Sequence, residues 1–316
     1  MRVDKMTATK KTWKKIAGAP AFVAASVAKS ALSLPGLRAV APDEWYLRAR
    51  FRVKVGRALR LNPPRTFNEK LQWLKLYACE PYMSSLVDKY EARRYVAEKA
   101  GEEYLVPLVG GPWKSFDEID FDALPEKFVL KTTHDSGGIV VVRDKRTMDV
   151  SKARRKIEKA LRRNFFWVSR ETPYRPLEPR VIAEKLLDGG DGDLRDYKFY
   201  VFNGKTRMIN VCSQRFAGQG LRITFYDDEW NLLPFERRYP RERVAEPRPE
   251  AFDRLKELAA ALAGDLSFAR IDFYLPKGEI YVGEITLFPG AGFEPFDPEK
   301  WDETVGEWLT LPGGKR

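Results

Sequence analysis

Helical and strand periods alternate along the chain, and no segment repeats another. Residues 67–80 (FNEKLQWLKLYACE) bring Phe67, Leu71, Leu74 and Leu76 to near-helical spacing, with Thr66 or Asn68 as the cap. A second helix is expected over 86–99, ending at Gly101, then a short strand over 104–109 (YLVPLV). KFVLKTT (127–133) and GIVVVRD (138–144) read as strands around a glycine loop, HDSGG. A basic helix follows over 151–164, then a strand, PRVIAEKLL (179–187), that runs into the acidic GGDGD. Residues 196–211 read as a hairpin turning at Asn203-Gly204, 221–233 as a strand pair turning near Asp228, and 250–263 as an amphipathic helix. The last hairpin, 268–288, turns at Lys277-Gly278. This mixture predicts an α+β fold with antiparallel sheets rather than a parallel βαβ ladder.

Composition removes whole classes of chemistry. The 316 residues suffice for two domains or one large body, so no staple is needed to hold a core. Cys79 and Cys212 stand far apart in no CxxC, and His134 is the one histidine, which excludes a Cys/His zinc site and a disulfide framework and favours a reducing, cytoplasmic compartment. A histidine-dependent hydrolase would rest on His134 alone. No GxGxxG and no GxxxxGK[ST] occurs. Lys and Arg total 56 against 45 Asp and Glu, a net charge of +11 that favours anionic partners.

Three constellations carry candidate chemistry. In the last hairpin, a turn at Lys277-Gly278 sets Asp272 nearly opposite Glu284 on one face. Opposed carboxylates repel unless a cation lies between them, and hard oxygens of this kind suit Mg2+ with phosphate. Arg270 and Thr286 project to the same face and add a phosphate-binding charge and a further oxygen. A solvated salt-bridge face is the plainer account of the same letters. Second, Lys131 ends an apolar strand before the loop holding His134, Ser136, Gly137 and Gly138. Such a loop can offer N–H groups to phosphates while the lysine pairs their charge, or be an ordinary turn. His134 there would touch phosphate or substrate, or be a solvated turn histidine. Third, the strand Ile182–Leu187 ends in a loop whose backbone suits an adenine edge, or is a buried strand with an exposed Glu184-Lys185 end.

Taken in order, these three constellations, with Asp196-Tyr197-Lys198 before the last, resemble the ATP-grasp superfamily. RIDFYLPKGEIYVGEITLFPGAGF is similar to the magnesium hairpin of D-alanine–D-alanine ligases. More narrowly, FNEKLQWLKLY, LVDKYEARRYV, FVLKTTHDSGG, DYKFYVFNGK and GEITLFPGAGF together resemble the TupA-like (teichuronopeptide-biosynthesis) ATP-grasp family, over roughly residues 45 to 310. The resemblance implies an ATP-grasp fold in which two α+β lobes clasp ATP, with a short helical basic N-terminal segment. Its expected division is a basic segment over 1–45, a helical region over 46–100, a small lobe over 101–187 and a large lobe over 188–316.

Carried over residue by residue, the resemblance implies that Lys89 and Lys131 bind nucleotide phosphates, joined by Lys198 from the other lobe. Glu184 and the backbone of Lys185 and Leu187 would hold adenine and ribose. Asp272 and Glu284 would carry Mg2+, and Arg270 would steady the transferring phosphoryl group. Where most of the superfamily has an asparagine stands Thr286, a weaker ligand than asparagine, which puts the second metal in question. Only 88 residues precede Lys89, fewer than many relatives devote to a domain ahead of the grasp, which bears on the substrate pocket.

The implied activity is an ATP- and Mg-dependent carboxylate–amine ligase forming an amide through an acyl phosphate. It would join an amino acid to an acidic sugar such as a uronic acid, or to a surface polymer, in polysaccharide biosynthesis. Arg180, Arg215 and Arg222 are candidate anchors for an acidic substrate by charge and position, against a solvated basic face. The alternatives are a small-molecule or sugar kinase with the same ATP site, and a non-catalytic binder of anionic polymer. No RNP or zinc-finger motif supports a specific nucleic-acid partner. The stretch AFVAASVAKSALSL (21–34), interrupted by Lys29, is too short to span about 30 Å of hydrocarbon. After the basic start it fits a signal peptide, a peripheral helix on an anionic membrane, or a mobile leader; consumption of ATP argues for the latter two in the cytoplasm.

Overall fold

The computed structural model describes residues 35–187, 189, 194–213 and 220–313. Of the basic segment expected over 1–45, residues 1–34 lie outside them, as does Arg215. The described strands form two antiparallel sheets with helices packed against them, as the periodicity predicts. The smaller sheet contains β1 (Leu108–Trp113), β2 (Phe128–Thr132), β3 (Ile139–Val142) and β4 (Val181–Lys185) in the order β1-β4-β2-β3. The larger contains β5 (Asp196–Phe202), β6 (Lys205–Ser213), β7 (Arg222–Asp227), β8 (Phe268–Tyr274) and β9 (Tyr281–Thr286) in the order β7-β6-β5-β8-β9. The helices are α1 (Pro35–Val40), α2 (Asp43–Val55), α3 (Phe67–Tyr77), α4 (Met83–Val87), α5 (Ala92–Lys99), α6 (Val150–Leu161), α7 (Phe166–Ser169), α8 (Phe252–Ala263) and α9 (Lys300–Glu307). Among the described residues no helix is long and apolar enough to cross a membrane.

Alternation along each strand decides what is buried. Phe128, Leu130, Val181 and Ala183 turn one face of the small sheet into a core with Ala153 and Ile157 of α6. On the large sheet, Phe199, Ile271 and Phe273 pack with Phe252 and Leu255 of α8. The opposite face is divided along its length. Phe202 and Phe268 meet Phe67 of α3 with ring centroids 5.6 and 5.1 Å away, while the other end of the same face carries charge. Residues 67–99 thus share the core of the large sheet. Thr66 caps α3 in a reciprocal box with Glu69.

Three expected elements differ in the structure. The strand expected over 104–109 lies at 108–113, because Gly110-Gly111-Pro112, which reads as a turn, forms a bulged pairing with β4. The helix expected over 86–99 is two helices broken at Asp88. Its Oδ1 accepts the N–H groups of Tyr90 (2.9 Å) and Glu91 (3.0 Å), competing with helical bonding. In 221–233, the turn closes on the Asp227 carboxylate, and the return strand shrinks to one bridge, Tyr226 to Leu232.

After β9 the chain turns through Gly290, Ala291 and Gly292, all with φ between 53° and 61°. This backbone is held from α3: Gln72 donates to the Ala291 and Gly292 carbonyls, and the buried Lys75 ammonium donates to Ala291 O (2.8 Å), Ser169 O (2.9 Å) and Gln72 Oε1 (3.1 Å). Replacing Lys75 with Met strands these acceptors in a closed site. The variant is expected to lose on the order of 3 kcal/mol of stability by urea denaturation; a change within about 0.5 kcal/mol would refute the role given to this lysine.

Candidate active site

The charged end of the large sheet is built by register. Lys198, Asp272 and Glu284 are direct cross-strand partners in one row across β5, β8 and β9, and Arg270 and Thr286 pair in a neighbouring row. Asn203 (φ 46°) and Gly204 (φ 80°) set the β5–β6 turn, and Lys277 (φ 52°) and Gly278 (φ 85°) the β8–β9 turn. The pairing then slips by one residue: Phe273 opposes Val282, whereas Asp272 opposes Glu284, leaving Gly283 as a bulge. Without the slip Glu284 would face the α8 core. A side chain at Gly283 would press on the Tyr274 ring at 2.8 Å.

This row is a closed charge network. Arg270 reaches Asp272 through Nε–Oδ1 (2.6 Å) and Nη2–Oδ2 (2.7 Å), and its Nη2 also donates to Glu284 Oε1 (2.9 Å) and Thr286 Oγ1 (3.0 Å). Lys198 pairs with Asp272 and, at 2.6 Å, with Asp196. Burial pushes the Asp272 carboxyl up to about 6 while Arg270 and Lys198 pull against it. Burial likewise opposes the charge on Lys198, but Asp196 and Asp272 carry its pKa above the lysine range. Glu284 is also opposed by burial, yet Lys89, Arg270 and Lys198 together hold it well below the carboxylate range.

The small sheet presents its polar face to the same cleft. Lys131 and Glu184 are diagonal neighbours on β2 and β4, joined at 2.5 Å. Arg93 of α5 lies 3.7 Å from the other Glu184 oxygen. Burial opposes the Lys131 charge, but Glu184 and Tyr274 raise its pKa above the usual range. Lys131 Nζ lies 6.0 Å from the centroid of the Tyr274 ring, on the large sheet. Lys89, freed by the break at Asp88, donates to the Asp135 carbonyl (2.6 Å) and lies 3.8 Å from Glu284 Oε2, so it touches both sides.

The glycine loop is closed on itself. Asp135 Oδ1 accepts the N–H groups of Gly137 (2.5 Å) and Gly138 (2.8 Å), and its Oδ2 meets Arg163 Nη2 at 2.6 Å. Gly138 admits no side chain, since a Cβ would collide with Thr132 Oγ1 and lie 2.7 Å from Ala160. His134 is buried beneath the loop with Nε2 at 3.2 and 3.0 Å from the Ala160 and Arg163 carbonyls, and burial lowers its pKa. It ties the loop to α6, buried where the sequence reading expects a solvated turn histidine or one that touches phosphate or substrate.

The structure thus brings Lys89, Lys131, Glu184, Lys198, Arg270, Asp272, Glu284 and Thr286 to one cleft, with Ser136 and Gly137 exposed on its loop. Lys185 is exposed and its N–H is committed to the Pro107 carbonyl; Leu187 is half-buried. Arg180 pairs with Asp88 (3.3 Å) and Glu91 (2.9 Å) and stands over the Tyr90 ring. Arg222 binds the Arg241 carbonyl (3.1 Å) on the edge strand β7. Sequence reasoning assigns no role to Asp135, Arg93 or Tyr274, and names Asp196 only as part of the Asp196-Tyr197-Lys198 motif. Asp196 had a signal, standing two residues before Lys198 and so on its face.

Asp272 and Glu284 are hard oxygen donors. Among the described residues no cluster of three or more His, Cys, Asp or Glu is placed to hold a metal. Two carboxylates suffice for Mg2+ when phosphates complete its shell, so the residues fit an ion that arrives with a nucleotide. Thr286 donates to Glu284 Oε1 (3.0 Å), which orients that carboxylate.

Two antiparallel sheets with helices, facing each other across lysines and carboxylates, place the chain in the ATP-grasp fold class. A family model described as TupA-like ATPgrasp matches residues 69–310, and the chain belongs to that family. No curated protein sequence matches it. Similar solved structures include D-alanine–D-alanine ligase from Bacillus anthracis, at 16% identity over 77% of this chain and 66% of that one, with a TM-score of 0.40. The same ligase complexed with ATP is 17% identical over 71% of this chain and 57% of its own, with a TM-score of 0.36. The ATP-grasp ligase PsnB, complexed with a phosphomimetic variant of its minimal precursor, Mg and ADP, is 12% identical over 69% and 57%, with a TM-score of 0.38. The chain spans 57% of the length of the second and third of these comparison chains.

The loop closure has a pH signature. Burial works against the Asp135 carboxylate, but the Gly137 and Gly138 N–H groups and Arg163 depress its pKa below the ordinary value. A depressed carboxyl contributes stability that is complete above the unfolded pKa of about 4 and is lost as pH falls through the folded value. Asp135→Asn is therefore expected to be less stable than wild type by on the order of 2 kcal/mol at neutral pH. Urea denaturation should show that gap closing below about pH 4; a gap unchanged to about pH 3 would count against this account.

Proposed function

We propose that this chain is an ATP- and Mg2+-dependent ligase that joins a carboxylate to an amine with release of ADP and phosphate. The observation that carries the reading is the single cleft in which Lys131 and Glu184 of one sheet face Lys198, Arg270, Asp272 and Glu284 of the other, with Lys89 between. The small lobe over 101–187 and the large lobe over 188–316 are proposed to close on ATP there. Glu184 and the backbone of Lys185 and Leu187 hold ribose and adenine, Lys89, Lys131 and Lys198 hold the phosphates, and the glycine loop covers them. Asp272 and Glu284 would hold Mg2+, which when bound would offset phosphate charge.

A substrate carboxylate oxygen attacks the γ-phosphorus, the bond to the bridging oxygen of ADP breaks, and an acyl phosphate forms. The amine nitrogen then attacks the acyl carbon, phosphate leaves, and the nitrogen sheds its proton. Raised pKa values keep Lys131 and Lys198 cationic at neutral pH, so their charges meet the phosphates throughout. Arg270, rigidly held, faces the charge of the transferring group. The reaction calls for no protein nucleophile, in keeping with a buried His134 and a Cys79 thiol pushed up to about 12 by burial. Family membership and the net charge of +11 support an acidic sugar, such as a uronic acid, and an amino acid as the pair joined in surface-polysaccharide synthesis.

The test is thermal and chemical. Saturation at about a hundred times Kd stabilises by roughly 2.7 kcal/mol, so MgATP is expected to raise the Tm by several degrees. Lys131→Ala and Glu284→Gln are expected to lose the shift. With uronic acids as substrate and hydroxylamine as the amine, wild type should release ADP and form a hydroxamate, and Glu284→Gln should be at least about a hundredfold slower. A stable phosphorylated sugar without hydroxamate would overturn the ligase reading in favour of a kinase.

A further inference from the structure

Beside the Arg270–Lys198 end of the cleft lies a cavity of about 120 Å³ whose far wall carries Arg237 and Arg238, with Tyr200, Asn210 and Glu294 also lining it. The two walls differ in charge balance. Lys198 and Arg270 are already matched by Asp196, Asp272 and Glu284. Arg237, among the described residues, meets only neutral acceptors: its Nη2 donates to the Glu294 carbonyl (2.7 Å) and to Asn68 Oδ1 (3.3 Å). Its Nε is buried without a partner, and its guanidinium carbon stands 4.5 Å from the centroid of the Phe296 ring. Arg238 is mostly exposed, and its one carboxylate, Glu294, is 3.9 Å away. An arginine held against an aromatic ring, with no carboxylate partner among the described residues, is arranged for an anion supplied from outside.

We infer that the phosphoryl-accepting substrate is an organic acid with two anionic groups, a condition a uronic acid meets only with a second anion beside its carboxylate, as within an anionic polymer. Resting on the ligase reading above, this assigns one carboxylate to the reacting end at Arg270 and Lys198, and the second anion to Arg237, with Arg238 at the mouth. A monocarboxylate would leave Arg237 uncompensated after binding. This places the substrate anchor chiefly on Arg237, which has no carboxylate partner among the described residues, rather than on Arg180, paired with Asp88 and Glu91, or Arg222, 3.7 Å from Glu242.

Glutarate and butyrate, which differ by the second carboxylate, serve as probes for the full chain saturated with Mg2+ and a non-hydrolysable ATP analogue. Calorimetry is expected to give glutarate at least about tenfold tighter binding, the scale of one charge-assisted hydrogen bond. Arg237→Gln should abolish that preference and Arg237→Lys should keep most of it, whereas a merely structural Arg237 would weaken both acids alike. Arg238→Gln, at an exposed position, should reduce the preference in a folded protein and so guards against a variant that fails to fold. Equal affinity for the two acids in wild type, a preference that survives Arg237→Gln, or binding of neither acid while the nucleotide binds would overturn the inference alone. Failure of the nucleotide itself to bind would overturn the ligase reading and this inference with it.

Discussion

A charge buried on the face of a sheet has to find its counter-charge among the positions the register offers. Lys198, Asp272 and Glu284 meet that demand in one row, and Arg270 stitches the row to the next through Asp272, Glu284 and Thr286. Removing one partner of such a set leaves an uncompensated charge, typically a cost of about 3–5 kcal/mol. Slipping the strands by one position would do so several times over. The network therefore adds to the hydrophobic core on the opposite face in holding the β5–β8–β9 register. It also fixes the positions of the groups that nucleotide and metal would meet.

The rest of the cleft follows from two interruptions of regular structure. Asp88 breaks a helix, and the break sends the Lys89 N–H to the Thr133 carbonyl and its ammonium to Asp135 and Glu284. Gly283 interrupts β9, and the resulting bulge rotates Glu284 out of the core face into the row. Each irregularity weakens its own element locally and places one charged group where an unbroken helix or strand would not. Arg180, an apparent substrate anchor, serves the first of them by pairing with Asp88 and Glu91.

Strand alternation made both antiparallel sheets and the hairpin of Asp272 and Glu284 readable from sequence, because period and turn residues are local properties. The opposition of 272 and 284 was reached from the turn alone, yet it depends on a bulge that the turn does not reveal. Lone glycines in strands carry that information, and Gly283 was the signal. β1 was misplaced because Gly110-Gly111-Pro112 looks like a turn and pairs only by bulging against β4. Asp135 and Tyr274 escaped notice because their roles arise from contacts that no periodicity encodes: a carboxylate closing on two N–H groups downstream, and a ring under a lysine from the other sheet. His134 was readable as a loop residue, but its burial against Ala160 and Arg163 depends on how α6 packs.

The closed state of these contacts bears on how the cleft would work. Every cation proposed for the phosphates already has an anionic or carbonyl partner: Lys131 has Glu184, Lys198 has Asp196 and Asp272, Lys89 has the Asp135 carbonyl, and the loop N–H groups have the Asp135 carboxylate. A nucleotide binding here exchanges partners; it does not fill an unpaired cationic site. Part of the attraction is cancelled, since protein contacts give way as phosphate contacts form. What remains favours a ligand that brings its own divalent cation, because Asp272 and Glu284, released from Arg270, then acquire a counter-ion in the same step. On the proposed function, the paired network would discriminate between a bare anion and a metal-bound nucleotide. Arg237, with no carboxylate of its own among the described residues, is left to select for charge on the second substrate.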